Sequence, residues 1–556
     1  MDCKALKQIP KPEDRVFQNS DTTSCKFNKY MSRNEFSRDR DRILFSKAFR
    51  RLQHKVQVYS FEEGDHFRTR LTHTLEVTQI ARALSNALEV NVDLTEAIAL
   101  GHDIGHTPFG HQGERTLDEI MKGSDFLKRN NIVEDPIDYG GFKHNYNSVR
   151  ILTEVEKRDE NIDGLNLTWQ VLEGIFKHTR ICRKEQELSG SFGDWDIKRF
   201  VSNSKLIKNL HTEIKHSVSI EGQIVAIADE IAQRQHDLDD GLRDQSLGLN
   251  VDELYSKIML TTSDLLSTYN ESINGIPERQ NLNECMKNIK MLNETLSSKA
   301  KSKDTQYKSN CLQKYITKYF LTDVLDTTKH NIEVLKENDY EIVNEEPIIK
   351  KKVVCFSQIG RTLNKEIENF IRNRIINSYK VNRFDGKSQY VVKQLFKAYY
   401  ENPLQLHEDV LNKIENAINI NSVVYEIKLK DDKYKGLMLD QIRFKTSSNE
   451  EITILIETLR LENIKRNLQT PSDFDESSFR NAYSAELVNC IRSIKSSSIN
   501  ENNQPLIEAI KARYKEKDLF INCLIENNYA FLSTICYHIS GMTDSYAKLQ
   551  FRELYQ

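Results

Sequence analysis

Proline and glycine are scarce, at 9 and 20 among 556 residues. A chain so poor in breakers, and rich in Leu, Ile, Lys, Glu and Asn, is expected to be mostly helical. No stretch approaches about 18 uninterrupted apolar residues, so no membrane-spanning helix is expected. A dominant charge is also missing. The 79 basic and 82 acidic residues leave a net charge of −3, which argues against a strongly cationic coat for nucleic acid but leaves room for a local basic groove. The nine cysteines, at 3, 25, 182, 285, 311, 355, 490, 523 and 536, form no C-x-x-C pair. That pattern argues against a zinc knuckle or a disulfide framework and for reduced thiols in a cytoplasmic protein. The opening MDCKALKQIPKPEDR has neither the apolar core nor the small-residue cleavage site of a secretory signal.

What is present suffices for a large core, with 24 Phe and 22 Tyr in a chain that is 38% hydrophobic. The spacing predicts an amphipathic helix from Thr72, with Val77, Ile80, Ala81, Leu84 and Leu88 on one stripe and His73 on the same inward face. A second helix is expected after Asn91, capped by Asp93 and running LTEAIALGHDIG. Gly105, Pro108 and Gly110 mark a loop before HQGERTLDEIM restarts a helix, and SIEGQIVAIADEIAQRQHDLDDGL is a long apolar-striped one. Residues 270–310 are polar and rich in Asn and Lys, the mark of an insertion or helical hairpin; SSSINENNQP (496–505) reads as a loop.

Histidine is distributed unevenly. Eight of the fourteen lie between positions 54 and 178, and the tightest group is GHDIGHTPFGHQGE (101–114). A His-Asp dipeptide occurs twice, at 102–103 and 236–237, so the dipeptide alone is weak evidence. Context adds to it. His73 on an inward face, Asp103 before a glycine-bounded loop and Asp229 within an apolar helix are polar groups that need partners if buried. With His102 they make a mixed N/O set without thiolate, suited to a divalent ion such as Mn, Fe, Mg or Zn. Spacing alone does not decide between a shared ion and ordinary hydrogen-bonded core residues.

Five segments in order carry a resemblance: RRLQHKVQVYSFEEGDHFRTRLTHTLEVTQIAR (50–82), GHDIGHTPFGHQGE (101–114), GGFKHNYNSVRILT (140–153), LTWQVLEGIFKHT (167–179) and ADEIAQRQHDLDDGL (228–242). They resemble the HD-domain deoxynucleoside triphosphate triphosphohydrolases, the bacterial dGTPase-like family. SYKVNRFDGKSQYVVKQLFKAYYENP and SGMTDSYA resemble that family's distal part. The resemblance implies an all-α fold, an HD-domain helical core with an additional helical C-terminal region. The expected segments are an N-terminal arm and helix (1–60), the metal-dependent phosphohydrolase core (61–245), a helical insertion or connecting region (246–380) and a C-terminal helical region (381–556). The implied reaction cuts dGTP or another dNTP at the α-phosphate, releasing deoxynucleoside and tripolyphosphate. The metal ligands fall on His73, His102, Asp103 and Asp229, the ion being Mn, Mg or Fe, and the acid/base pair on His111 and Glu114. Arg70 and Lys177 match phosphate-contacting positions; His106 and His144 match active-site positions of less defined role. Gln57 and Asp237 match groups that hold the sugar 3′ hydroxyl. The family usually has Tyr where this chain has Gln233, which puts discrimination against ribonucleotides in question.

The resemblance further implies a homo-oligomer, a hexamer being favoured, and in some members activation by a dNTP at a second site. Arg383 and Tyr546 are candidates to reach a neighbouring active site. The Lys-rich stretch 286–318 could track single-stranded nucleic acid, although a solvated helix face is the plainer reading. Two other readings stand beside the first: a phosphohydrolase or phosphodiesterase of the wider HD superfamily acting on another nucleotide, and a non-catalytic nucleotide or nucleic-acid sensor.

Overall fold

The computed structural model describes residues 6–11, 14–15, 33–57, 67–123, 141–159, 162–179, 204–272, 279–343, 345–410, 423–429, 438–445, 451–460 and 528–556. These divide into two compact units, Met1–Lys393 with Ser540–Gln556, and Gln394–Ile539.

The first unit is helical. Its elements are α1 (Glu35–Leu44), α2 (Lys47–Arg51), α3 (Arg70–Leu88), α4 (Val92–Gly101), α5 (Gly110–Met121), α6 (His144–Arg150), α7 (Trp169–Lys177), α8 (Ser204–Asn209), α9 (Ile220–Arg243), α10 (Val251–Ser272), α11 (Arg279–Lys299), α12 (Thr305–Glu333), α13 (Gln358–Ile371) and most of α14 (Tyr379–Glu401), joined near the C-terminus by α16 (Asp544–Tyr555). Two short antiparallel pairs accompany them, β1 (Lys157–Asp159) with β2 (Ile162–Asp163) and β3 (Tyr340–Val343) with β4 (Glu346–Ile349). The core forms where α3, α4, α7 and α9 pack together. Val77, Ala81 and Leu84 of α3, Ile98 of α4, Val171 and Ile175 of α7 and Ile224 of α9 are fully buried there. Their spacing is helical, so one stripe of each helix is removed from water.

Helix starts follow side-chain chemistry. Asn91, rather than Asp93, caps α4 by accepting from Leu94 N, and Asp93 sits in the first turn. The Asn amide oxygen satisfies one of the free N–H groups that every helix start exposes. Within the polar 270–310 stretch lie the end of α10 and all of α11, which packs on both α10 and α12 and buries Cys285, Ile289, Leu292 and Leu296. No described helix is long and apolar enough to cross a membrane.

The chain is mostly helical, as expected, and the second unit adds a small sheet to its helices. That unit contains α15 (Asn528–Ser540) and the end of α14, where Tyr399 meets His538 and Tyr400 stacks on Phe531. It also contains an antiparallel sheet of β5 (Val423–Leu429), β6 (Met438–Lys445) and β7 (Glu451–Arg460), in register Ile427–Ile442–Ile454. The physical reason is local: β-branched residues recur in β5 (Val423, Val424, Ile427) and β7 (Ile452, Thr453, Ile454, Ile456), and the polar runs KDDKYKG and TSSNE separate the three segments in sequence. The loop expected at 496–505 lies outside the described residues.

Candidate active site and metal centre

Four side chains from three helices converge in the first unit. Thr69 and Thr72 exchange hydrogen bonds that start α3, which places Arg70 and His73 inward within its first turn, each about 1% exposed. The last turn of α4 delivers His102 and Asp103. The His102 Nδ1–H donates to Ala99 O at 2.7 Å, which turns Nε2 inward, where it has no hydrogen-bond partner. Asp229 comes from the middle of α9. His73 Nε2 lies 3.0 Å from Asp229 Oδ1 and 3.8 Å from Asp103 Oδ2; His102 Nε2 lies 3.4 Å from Asp103 Oδ1 and 3.8 Å from Asp229 Oδ1. Nitrogen and carboxylate donors around one point, with an unpartnered imidazole nitrogen among them, fit a divalent cation.

The charges suit that role. Burial pushes the Asp103 carboxyl up, but His102, His106 and Arg70 outweigh it and hold the group well below the usual range. Asp229 is likewise opposed by burial and held low by the hydrogen bond from His73 and the charge on His102. Both are anionic at neutral pH, as ligands must be. Arg70 donates Nη1–H to Asp103 Oδ2 at 2.6 Å, while its Nε and Nη2 are buried with no hydrogen-bond partner. A Cβ at Gly110, where φ is +60°, would come within 3.2 Å of Arg70 Nη2. The glycine therefore lets the loop lie against the guanidinium.

Behind His73 stands a pair that the sequence reading missed. His73 Nδ1 is 3.0 Å from His236 Nδ1, and His236 Nε2 is in contact with Glu76. His236 belongs to the second His-Asp dipeptide, so both dipeptides end at the same cluster.

On the other side lies a group of imidazoles. His106 Nε2 sits 3.1 Å from Asp103 Oδ1, and its ring stacks on His144 at 3.8 Å. Glu114 is buried and accepts from His144 twice, from Nδ1 at 3.0 Å and from the backbone N–H at 3.2 Å. His111, about half exposed, is only 3.5 Å from Glu114 Oε2. The carboxylate thus grips His144 more closely than the histidine one turn before it. The His144 helix approaches closely because residue 105 is glycine: a Cβ there would stand 2.1 Å from His144 O. His178, at the end of α7, was not singled out in the sequence. Its Nε2 faces His144 Nε2 at 3.2 Å and its ring lies edge-on to His102. Its place in the histidine-rich first third, within the KHT of a quoted segment, was the available signal.

The remaining positions divide. Gln57 and Asp237 are buried, and Gln57 Oε1 and Asp237 Oδ1 have no hydrogen-bond partner. Burial, with Asp240 nearby, pushes the Asp237 carboxyl up to about 7. Gln233 is half-buried, one turn beyond Asp229. Lys177 goes elsewhere. Its ammonium is buried with Glu173 Oε1 at 2.8 Å, one turn back on α7, and donates to His211 O at 2.8 Å. Arg383 joins Lys380, Lys387 and Lys548 around a cavity of about 550 Å³ floored by Phe109 and Val391, and Tyr546 is exposed. A structural contact unseen in the sequence comes from Asp544. Its Oδ1 accepts from Phe109 N at 2.9 Å and its Oδ2 from Val56 N at 3.1 Å.

The HD domain family matches residues 70–233, and the phosphohydrolase-associated domain family matches residues 354–425. The chain is 35% identical over 390 residues to a deoxyguanosinetriphosphate triphosphohydrolase-like protein of Bartonella tribocorum, covering 70% of this chain and 83% of that one. Proteins of the same name from Rickettsia felis and Geobacter metallireducens are 35% identical over 371 residues and 33% over 388, covering 66% and 68% of this chain and 80% and 81% of theirs. The chain is an HD-domain phosphohydrolase and belongs to the deoxyguanosinetriphosphate triphosphohydrolase-like family.

Proposed function

We propose that this protein hydrolyses deoxynucleoside triphosphates, dGTP among them, at the α-phosphate, releasing deoxynucleoside and intact tripolyphosphate. The observation that carries the reading is the convergence of His73, His102, Asp103 and Asp229, beside a buried Arg70 with two unpartnered nitrogens. A divalent ion held by those four, Mn, Mg or Fe, would supply Lewis-acid polarisation of the phosphate. Arg70 is placed to bind a phosphoryl oxygen through Nε and Nη2 while Asp103 fixes its plane. The reaction expels a 5′ alkoxide, which needs a proton. His111 is the exposed histidine beside Glu114 and is read as the donor. Gln57 Oε1 and Asp237 Oδ1 are read as the acceptors for the sugar 3′ hydroxyl.

Two adjustments follow from the geometry. Lys177 is committed to Glu173, and Lys380 to Asp244, so dispersed positive charge for the triphosphate is read into Arg383, Lys387 and Lys548 instead. His106 and His144, stacked and tied to Asp103 and Glu114, are read as positioning groups. A homo-oligomer, hexameric by resemblance, and activation by a second dNTP belong to the same reading.

Product analysis tests it. Protein with Mn or Mg is incubated with each of the four dNTPs, with mixtures and with GTP, and products are separated by anion exchange. Deoxynucleoside plus tripolyphosphate is the expected result, and turnover of mixtures alone would mark activation. Release of orthophosphate or pyrophosphate, or no turnover in any lane, overturns the reading. The GTP lane reports what Gln233 does to sugar selection.

A further inference from the structure

The second His-Asp dipeptide, 236–237, brings to the metal centre a histidine that the proposed reaction leaves without a task. His236 stands two helical turns after Asp229 on α9, hence on the same face. It is buried and clasped by His73 and Glu76, which are three apart on α3 and therefore neighbours on that helix. His73 Nδ1 lies 3.0 Å from His236 Nδ1, and the Glu76 carboxylate meets His236 Nε2 from the other side. Glu76 is itself held in place. Arg68 Nε–H donates to its Oε1 at 3.3 Å, and the same guanidinium lies 2.8 Å from Asp239 Oδ2 and 2.7 Å from Asp240 Oδ1.

The direction of each hydrogen bond follows from the outer end of this chain of side chains. Burial pushes the Glu76 carboxyl up, but His236 and Arg68 outweigh it and hold the group low, so it is an anion that only accepts. Its partner, His236 Nε2, therefore carries a proton. Burial holds the His236 imidazole neutral against the pull of Glu76, and a neutral ring has one donor and one acceptor. His236 Nδ1 is then the acceptor, and the proton between the two rings belongs to His73 Nδ1. His73 Nε2 is left facing Asp229 Oδ1 and Asp103 Oδ2, at 3.0 and 3.8 Å. An imidazolium at His236 would reverse the inner bond and leave His73 Nε2 protonated. A divalent ion one ring away disfavours that extra positive charge.

We propose that His236, backed by Glu76 and Arg68, is a positioning residue for the metal centre: by accepting from His73 Nδ1 it fixes the tautomer and ring plane that present His73 Nε2 as a ligand. This rests on the assignment of His73, His102, Asp103 and Asp229 to a divalent ion. The outward nitrogen of a metal-binding histidine is commonly held by a carboxylate or a carbonyl. Here an imidazole is interposed, and the carboxylate stands one step behind it.

Metal affinity reads this out without reference to turnover. Full-length protein stripped with chelator is titrated with Mn²⁺, and the free ion is measured by its paramagnetic resonance signal. His236→Leu, which keeps bulk and removes the acceptor, is expected to weaken Mn²⁺ binding about 10–100-fold. His236→Asn, whose Oδ1 stands about where the imidazole Nδ1 does, is expected to bind within a few-fold of wild type. Melting curves separate positioning from packing. A packing defect lowers the melting temperature equally in Mn²⁺ and in EDTA, whereas lost positioning narrows the gap between the two. If His236→Leu does not fold, Glu76→Ala, at a partly exposed position, is read in the same way. Affinity within a few-fold of wild type in the folded variant, or His236→Asn binding no better than His236→Leu, overturns the proposal. A wild type that binds no Mn²⁺ overturns the metal centre along with it, whereas wild type and variants that bind equally well overturn the positioning role alone.

Discussion

At the scale of single residues, the sequence suggested that His73, His102, Asp103 and Asp229 belong together, and it did not suggest what stands behind them. His73 and Asp229 stand out because a polar group on an apolar helical stripe is conspicuous. His236 and Glu76, behind His73, carry no such mark. One residue assignment can be tested without reference to the metal. His111 is about half exposed beside Glu114, so His111→Ala is expected to keep its metal content and lose about 10²–10⁴-fold in kcat. Turnover within a few-fold of wild type would remove His111 as the proton donor. A second residue makes a prediction about pH. The Asp237 carboxyl is pushed up to about 7 by burial. A carboxyl whose folded pKa exceeds its unfolded value of 3.8 favours the fold fully below the unfolded value. That contribution is lost as pH rises through the folded one. Asp237→Asn should therefore melt with wild type near pH 4 and above it at pH 8, by on the order of 2–4 kcal/mol. Equal stability at both pH values would show that Asp237 is ionised and solvated in the folded protein.

At the scale of elements, the helices of the first unit follow their sequence patterns closely, and the join between distant segments does not. Nothing local in SGMTDSYA indicates that Asp544 caps two backbone N–H groups, of Val56 and Phe109, more than 400 residues earlier. Sequence periodicity reports a residue's own helix and is silent about such long-range partners. The contact has a purpose in the site. Val56 precedes Gln57, and Phe109 holds a left-handed backbone, φ 62°, just before the helix bearing His111. A non-glycine residue in that region costs on the order of 1–2 kcal/mol, and the Asp544 hydrogen bond offsets part of that cost. Lys55 reinforces the join by donating to His106 O and Ser540 O. Asp544→Ala leaves two buried N–H groups unpaired, at about 1–3 kcal/mol each. Urea unfolding should show a loss of about 2–5 kcal/mol, with Asp544→Asn falling between the two. A stability within about 0.5 kcal/mol of wild type would mean that water replaces the carboxylate at no cost.

At the scale of the whole chain, the scarcity of proline and glycine rightly implies a mostly helical protein and for the same reason hides the sheet at β5–β7. A composition argument averages over all 556 residues, whereas strand formation there rests on β-branched residues gathered in short windows. The site poses its own question at this scale, because it draws α3, α4 and α9 to one point within a single unit. Two anionic carboxylates meet there beside Arg70, His73 and the unpartnered His102 Nε2. Such a cluster exists only in the folded chain, so a cation that binds it stabilises the fold by linkage, about 2.7 kcal/mol when the free ion is one hundred times its Kd. Thermal melts in Mn²⁺ should rise by a few degrees and fall back on adding EDTA. His102→Ala, which removes the unpartnered nitrogen, should melt at one temperature in both conditions. Equal melting of the wild type with Mn²⁺, Mg²⁺ or Fe²⁺ and with chelator would make the four residues an ordinary hydrogen-bonded core, and the proposed chemistry would lose its centre.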